Sequence, residues 1–109
     1  MIKRRIVLYS ISPGKQPFQE WFESLADTRT KEQILCRLDR VKYGNFGDNR
    51  SVGKGVYELR IHHGPGYRVY FGHEGAMIVI LLIGGEKSAQ RRDIRKAQEY
   101  LEDFRRRTK

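Results

Sequence analysis

Residues 53–87 read GKGVYELRIHHGPGYRVYFGHEGAMIVILLIGGEK, and the spacing of apolar residues in this stretch decides the fold. From Val56 the chain alternates with period two, so Tyr57, Leu59 and Ile61 point one way while Glu58, Arg60 and His62 point the other. The turn signal His63-Gly64-Pro65-Gly66 follows. Alternation then resumes, with Tyr67, Val69 and Phe71 on one side and Arg68 and Tyr70 on the other. The pattern predicts an antiparallel hairpin. If its aromatic and aliphatic residues share the core face, then Glu58, Arg60, His62, Arg68 and Tyr70 collect on the opposite face. Cross-strand neighbours there sit roughly 5 Å apart, near enough to act on one phosphate. After the turn His73-Glu74-Gly75, Met77 to Ile83 is apolar at every position, as a central strand covered on both faces requires.

The flanks supply the covering layer. Ile6 to Ile11 reads as a first strand closed by Ser12-Pro13-Gly14. Pro17 suits the first turn of a helix whose Phe18, Trp21, Phe22 and Leu25 form one apolar stripe. Asp27 offers the N-cap of a second helix, with Ile34, Leu35, Leu38 and Val41 inward and Arg29, Lys31, Arg37 and Arg40 outward. The segment from Gly44 to Gly55 reads as a loop carrying Arg50 and Lys54. Its Gly53-Lys54-Gly55 lacks the spacing and the Lys-Ser/Thr ending of a nucleotide phosphate loop. Gly84-Gly85 is expected to break the last strand, and Ser88 to cap a final helix bearing Ile94, Ala97, Leu101 and Phe104 on one stripe. The predicted order is β-α-α-β-β-β-α. It implies an α+β domain with helices packed on one face of an antiparallel sheet and the other face free to bind.

Composition narrows the partner more than the chemistry. A chain of 109 residues suits one domain, residues 1–109, with a single modest core. Lys and Arg number 22 against 13 Asp and Glu, giving a formal charge of +9 and attraction to polyanions. An unspecialised ribosomal or DNA-associated domain would carry the same balance. Cys36 stands alone, which excludes an internal disulfide and a Cys-rich zinc site; among Ile34, Leu35 and Leu38 it reads as a packed small hydrophobe. The start Met1-Ile2-Lys3-Arg4-Arg5 precedes too short an apolar run for a signal peptide, and Ala76 to Ile83 is too short to span a bilayer. A soluble, cytoplasmic protein is expected.

The element order together with Glu58-Leu59-Arg60, Gly66-Tyr67-Arg68-Val69 and Gly84-Gly85-Glu86-Lys87-Ser88 resembles the RelE/ParE superfamily of bacterial toxins, nearest its phage-type, HigB-like addiction-module branch. The resemblance covers nearly the whole chain. It implies a RelE-like two-layer fold and a toxin held inactive by a neighbouring antitoxin, a helix-turn-helix protein through which alone the pair contacts DNA. Many members of the superfamily cut messenger RNA on the ribosome without metal or cofactor, a 2′-hydroxyl attacking the adjacent phosphate while basic residues stabilise the developing charge. The ParE branch inhibits DNA gyrase instead.

By that resemblance Arg68 matches the phosphate-contacting arginine of the middle strand, Arg60 a second basic position, and Lys87 falls near a third. Removing a preorganised cation beside a developing phosphorane charge costs on the order of 3 kcal/mol of barrier. Two departures stand out. Glu58 occupies the place of a lysine in the best-known ribosome-dependent toxin, and a helix fills the region of that toxin's late catalytic tyrosine. Glu58 with His62 then forms a workable proton-transfer pair. The structural alternative makes Glu58 a salt-bridge partner of Arg60 or Arg68, and His62 a partly exposed strand residue. Tyr70 either stacks on a base or caps the sheet edge. Lys54, Arg50 and the cluster Arg105 to Arg107 are phosphate contacts, antitoxin contacts or solubilising surface. His63 and His73 fall in turns, with no metal-site spacing. The competing function is a toxin or binding module without chemistry, either a gyrase inhibitor or an inactive domain that contacts nucleic acid or the antitoxin.

Overall fold

The computed structural model describes residues 3–108, so the reading of the first residues as lacking a leader falls partly on Met1 and Ile2, outside the described residues. The elements are β1 (Arg5–Leu8), α1 (Pro17–Ser24), α2 (Thr28–Lys42), β2 (Asn49–Gly53), β3 (Val56–Ile61), β4 (Tyr67–Glu74), β5 (Ile78–Glu86), a 3-10 turn (Lys87–Ala89) and α3 (Gln90–Arg107). The strands form one five-stranded sheet in the order β1-β5-β4-β3-β2. Its register pairs Tyr57 with Phe71, Leu59 with Val69 and Ile61 with Tyr67, the hairpin that the alternation requires.

The architecture is α+β, but it departs from the expected two-layer arrangement. The sheet is mixed, because β1 runs parallel to β5. Helices cover both faces. On one, Phe18 of α1 and Ile34, Leu38 and Val41 of α2 pack on Leu59, Ile61, Val69, Phe71, Val79 and Leu81. On the other, Ala97 and Leu101 of α3 pack on Val56, Tyr70, Ile80 and Leu82. Consecutive residues of β5 therefore enter opposite cores, which explains the unbroken apolar run there. The amphipathic stripe of α3 needed a surface, and the supposedly free face of the sheet provides it.

The segment read as a loop contains β2, so a further strand precedes the hairpin and the expected order β-α-α-β-β-β-α is one strand short. As an edge strand β2 needs little apolar alternation; its Val52 alone packs inward. A tight turn at Lys54 and Gly55, both with positive φ (55° and 82°), joins it to β3. Such primed turns match the twist of paired strands. Gly84 and Gly85 do not break β5. They pair with Val69 and Arg68 and let helices approach: a Cβ on Gly84 would overlap the Trp21 ring, and one on Gly85 the Asp93 carboxylate. Ser88 sits in the 3-10 turn instead of capping α3, whose N-cap is Ala89 with no side-chain bond. Asp27 does cap α2, accepting from the Arg29 N–H and the Thr30 hydroxyl at 3.0 Å each.

Three expectations for α2 fail, two of them because its inward stripe is narrower than the apolar run. Leu35 is 54% exposed and Cys36 is exposed, not packed. Arg37 turns inward, donating to the Arg60 carbonyl at 2.6 Å, the Phe46 carbonyl at 3.0 Å and the Asp48 carbonyl at 3.2 Å. It clamps α2 to the start of β2. Among the described residues no helix is long and apolar enough to cross a membrane.

Candidate functional site

Strand register builds the site. On the α3-facing side of the sheet one cross-strand row runs Asp48, Arg60, Arg68, Gly85, and the next runs Arg50, Glu58, Tyr70, Ile83. Charges of opposite sign therefore meet across strands, Asp48 with Arg60 and Arg50 with Glu58, while Arg60 and Arg68 also stand opposite each other. Like charges so placed repel unless other groups compensate. The compensation comes from Asp48, 2.8 Å from Arg60 Nη2, and from Glu58, whose Oε1 lies 3.7 Å from Arg68 Nε.

This face is not the open basic surface that the sequence suggested. Glu58 and Tyr70 are fully buried and Arg68 is 6% exposed, because α3 and the turn before it roof them. Glu58 accepts hydrogen bonds from Gln90 Nε2 at 2.8 Å, Arg50 Nε at 3.0 Å and the Tyr70 hydroxyl at 3.0 Å. Burial pushes its pKa up, yet those bonds and the Arg50 charge outweigh burial and hold it below the usual carboxylate value. All three donors favour the charged form of the carboxylate. Tyr70, with its hydroxyl pKa raised by burial and by the Glu58 charge, is closed to base stacking.

Arg68, His62 and Lys87 come together. They line a shallow cleft of about 280 Å³ with His63, Pro65 and Gly66 of the β3–β4 turn. Lys87 reaches it because its N–H donates to the Gly66 carbonyl at 3.0 Å, tying the end of β5 to that turn. The Arg68 guanidinium makes one weak bond, Nη1 to the Tyr67 carbonyl at 3.3 Å, and its buried Nε has no hydrogen-bond partner. An orphaned buried donor on a cation is costly. Lys54 is elsewhere, at the β2–β3 turn beside Gln98 and Arg105. Arg50, half exposed, is engaged with Glu58. Among the described residues no group of three or more His, Cys, Asp or Glu side chains is placed to hold a metal ion.

Three residues escaped the sequence reading. Asp48 binds Arg60 and, through Oδ2, His62 Nε2 at 2.5 Å. The His62 and Arg60 bonds hold its pKa below the usual value. Gln90 opens α3 on Glu58. Asp93, 4% exposed in the first turn of α3, lies against Gly85 next to Arg68 in the register, and burial raises its pKa.

Residues 20–102, which hold the cleft side chains and Asp48, Glu58, Gln90 and Asp93, match the family model described as Phage derived protein Gp49-like (DUF891). The chain belongs to the Gp49-like family. That family is tied to toxin–antitoxin modules. An uncharacterized protein of Haemophilus influenzae is 47% identical to this Gp49-like chain over 87 residues, 80% of this chain and 88% of that protein.

Proposed function

We propose that this Gp49-like protein is the toxin of a toxin–antitoxin pair, of the RelE/ParE kind and nearest its HigB-like branch, and that it arrests translation by cutting messenger RNA on the ribosome. One observation carries the reading: Arg68, Lys87 and His62, from three different segments, line one cleft. Two cations and an imidazole lining one cleft suit an anion, and a phosphodiester supplies the matching charge. Arg68 contacts the phosphate, Lys87 neutralises the charge that develops on it, and of the expected Glu58–His62 pair His62 is the proton acceptor. Attack by a 2′-hydroxyl makes RNA, not DNA, the substrate. The positive charge the step needs comes from side chains, so the reading requires no cofactor or metal.

Residues 1–109 act as one toxin domain in the cytoplasm. The net charge of +9 calls for an acidic antitoxin, a helix-turn-helix protein that carries any DNA binding of the pair. Controlled expression of wild type and Arg68→Ala, with transcript 5′ ends mapped genome-wide, tests the reading. Cuts within translated frames that vanish in the variant are expected. Growth arrest with intact transcripts overturns cleavage in favour of a gyrase-directed or purely binding toxin.

A further inference from the structure

His62 stands at the lip of the cleft with its side chain 70% exposed, yet its imidazole is not free to turn, because Nε2 lies 2.5 Å from Asp48 Oδ2. Asp48 is itself anchored through its other carboxylate oxygen and its main-chain carbonyl. Its Oδ1 accepts from Arg60 Nη2 at 2.8 Å and Nε at 3.2 Å, while its carbonyl accepts from the Arg60 N–H at 2.9 Å and from Arg37 at 3.2 Å. Among the described residues no hydrogen bond reaches His62 Nδ1. A solvent-exposed histidine on a surface strand end has no structural need of so anchored a partner.

We propose that Asp48 is a positioning carboxylate that fixes His62 as the tautomer with Nδ1 bare toward the cleft, ready to take a proton from a 2′-hydroxyl. Arg60 acts by holding Asp48 and does not touch the phosphate. This inference rests on the RNA-cleaving reading of the same cleft. A carboxylate accepting one imidazole N–H leaves the lone pair on the other nitrogen, which is what a general base requires.

The step balances. His62 Nδ1 takes the 2′-hydroxyl proton, the 2′-oxygen bonds to phosphorus, and the bond from phosphorus to the 5′-oxygen breaks. The leaving 5′-oxygen takes a proton from the Lys87 ammonium, and both side chains, being exposed, exchange protons with solvent. A 2′,3′-cyclic phosphate and a 5′-hydroxyl result, with no water consumed. The charged groups facing His62 are Asp48 ahead of β2, Arg60 on β3, Arg68 on β4 and Lys87 after β5; its neighbour His63 is tied to Asp27 at 3.4 Å.

The test uses the full chain and messenger RNA on programmed ribosomes, with kcat and KM measured for wild type, His62→Ala, Asp48→Asn and the double variant. Imidazole nitrogen spectra of 15N-labelled protein report the tautomer. Each single change is expected to lower kcat about 10²-fold or more at little cost in KM, with the double variant no worse than His62→Ala. Asp48→Asn should also abolish the preference for the Nε2–H tautomer. His62→Ala alters an exposed side chain and keeps the fold, so a loss there is chemical. Full activity of Asp48→Asn, or losses that multiply in the double variant, overturns the dyad while leaving the function reading intact. A wild type that leaves RNA uncut overturns the function reading itself, and the dyad's role with it.

Discussion

Arg60 and Arg68 face each other across β3 and β4, and each is tethered to a different carboxylate: Arg60 to Asp48 at 2.8 Å and Arg68 to Glu58 at 3.7 Å. The tethers are unequal. Arg60 makes two hydrogen bonds to Asp48, whereas Arg68 makes none to Glu58. One guanidinium is thus bonded to its carboxylate and the other is held beside its carboxylate without a hydrogen bond.

On the RNA-cleaving reading, changing Arg68 to Ala should cost cleavage beyond what the loss of a nearly buried, paired side chain costs in stability. Glu58 keeps Gln90, Arg50 and Tyr70 as donors, so no carboxylate is stranded. Removal of a charge-stabilising donor predicts about 10²-fold or more off cleavage. Arg68→Lys should restore little, since an ammonium cannot reproduce the planar fork. Single-turnover cleavage alongside thermal melts separates the two effects. Unchanged cleavage by folded Arg68→Ala protein would make the residue structural.

Glu58 should show the reverse. Replacing it with Gln sets an amide against donors from Arg50, Gln90 and Tyr70 and leaves Arg68 short of its counter-charge, a loss of about 3 kcal/mol by the usual cost of a broken buried pair. The pH dependence follows from a folded pKa below the unfolded one. Its contribution is fully present above the ordinary carboxylate pKa and is lost as pH falls through the folded value. Denaturant titrations between neutral pH and about pH 3 should find wild type losing stability more steeply than Glu58→Gln. Parallel curves would remove Glu58 from the linkage.

How much of this was legible in the sequence depends on how local the signal was. The hairpin register, the Asp27 cap and the doubly buried β5 followed from period and turn chemistry. The strand β2 did not, because an edge strand carrying Arg50 and Ser51 lacks alternation; the signal missed was Lys54-Gly55 as a tight turn. Counting back from that turn alone would set Asn49 opposite Arg60; the register shift between Ser51 and Gly53, which no local signal announces, brings Asp48 there instead. The burial of Glu58 and Tyr70 was not readable at all. It depends on which face α3 chooses, a question of tertiary packing that no residue near Glu58 encodes.

Gly85→Ala tests that packing directly. A Cβ there would overlap the Asp93 carboxylate, so α3 must shift or the Asp must leave. Overpacking of this kind costs about 1–3 kcal/mol. Adding Asp93→Ala should recover most of the loss. Gly75→Ala, in open space with φ 62°, is the comparison, and should cost only about 1 kcal/mol through its backbone. Equal effects at the two glycines, or no recovery in the double variant, would locate the strain elsewhere.

Asp93 itself runs opposite to Glu58. Its folded pKa is raised, chiefly by burial against the opposing Arg92 and Lys96 charges, so the folded protein binds that proton more readily than the unfolded chain. Sites of this sign add nothing unfavourable below the unfolded pKa and withdraw stability as pH rises through the folded one. Asp93→Asn removes the charge and keeps the shape. It should therefore be more stable than wild type at neutral pH, with the difference closing on acidification. A gain in stability accompanied by weaker cleavage would mark Asp93 as a charge kept beside Arg68 for function at the expense of the fold. If wild type is the more stable at neutral pH, the carboxylate is paired strongly enough to outweigh its burial. The ion pair with Arg92, 3.6 Å away, would be the first to remove in a double-mutant cycle.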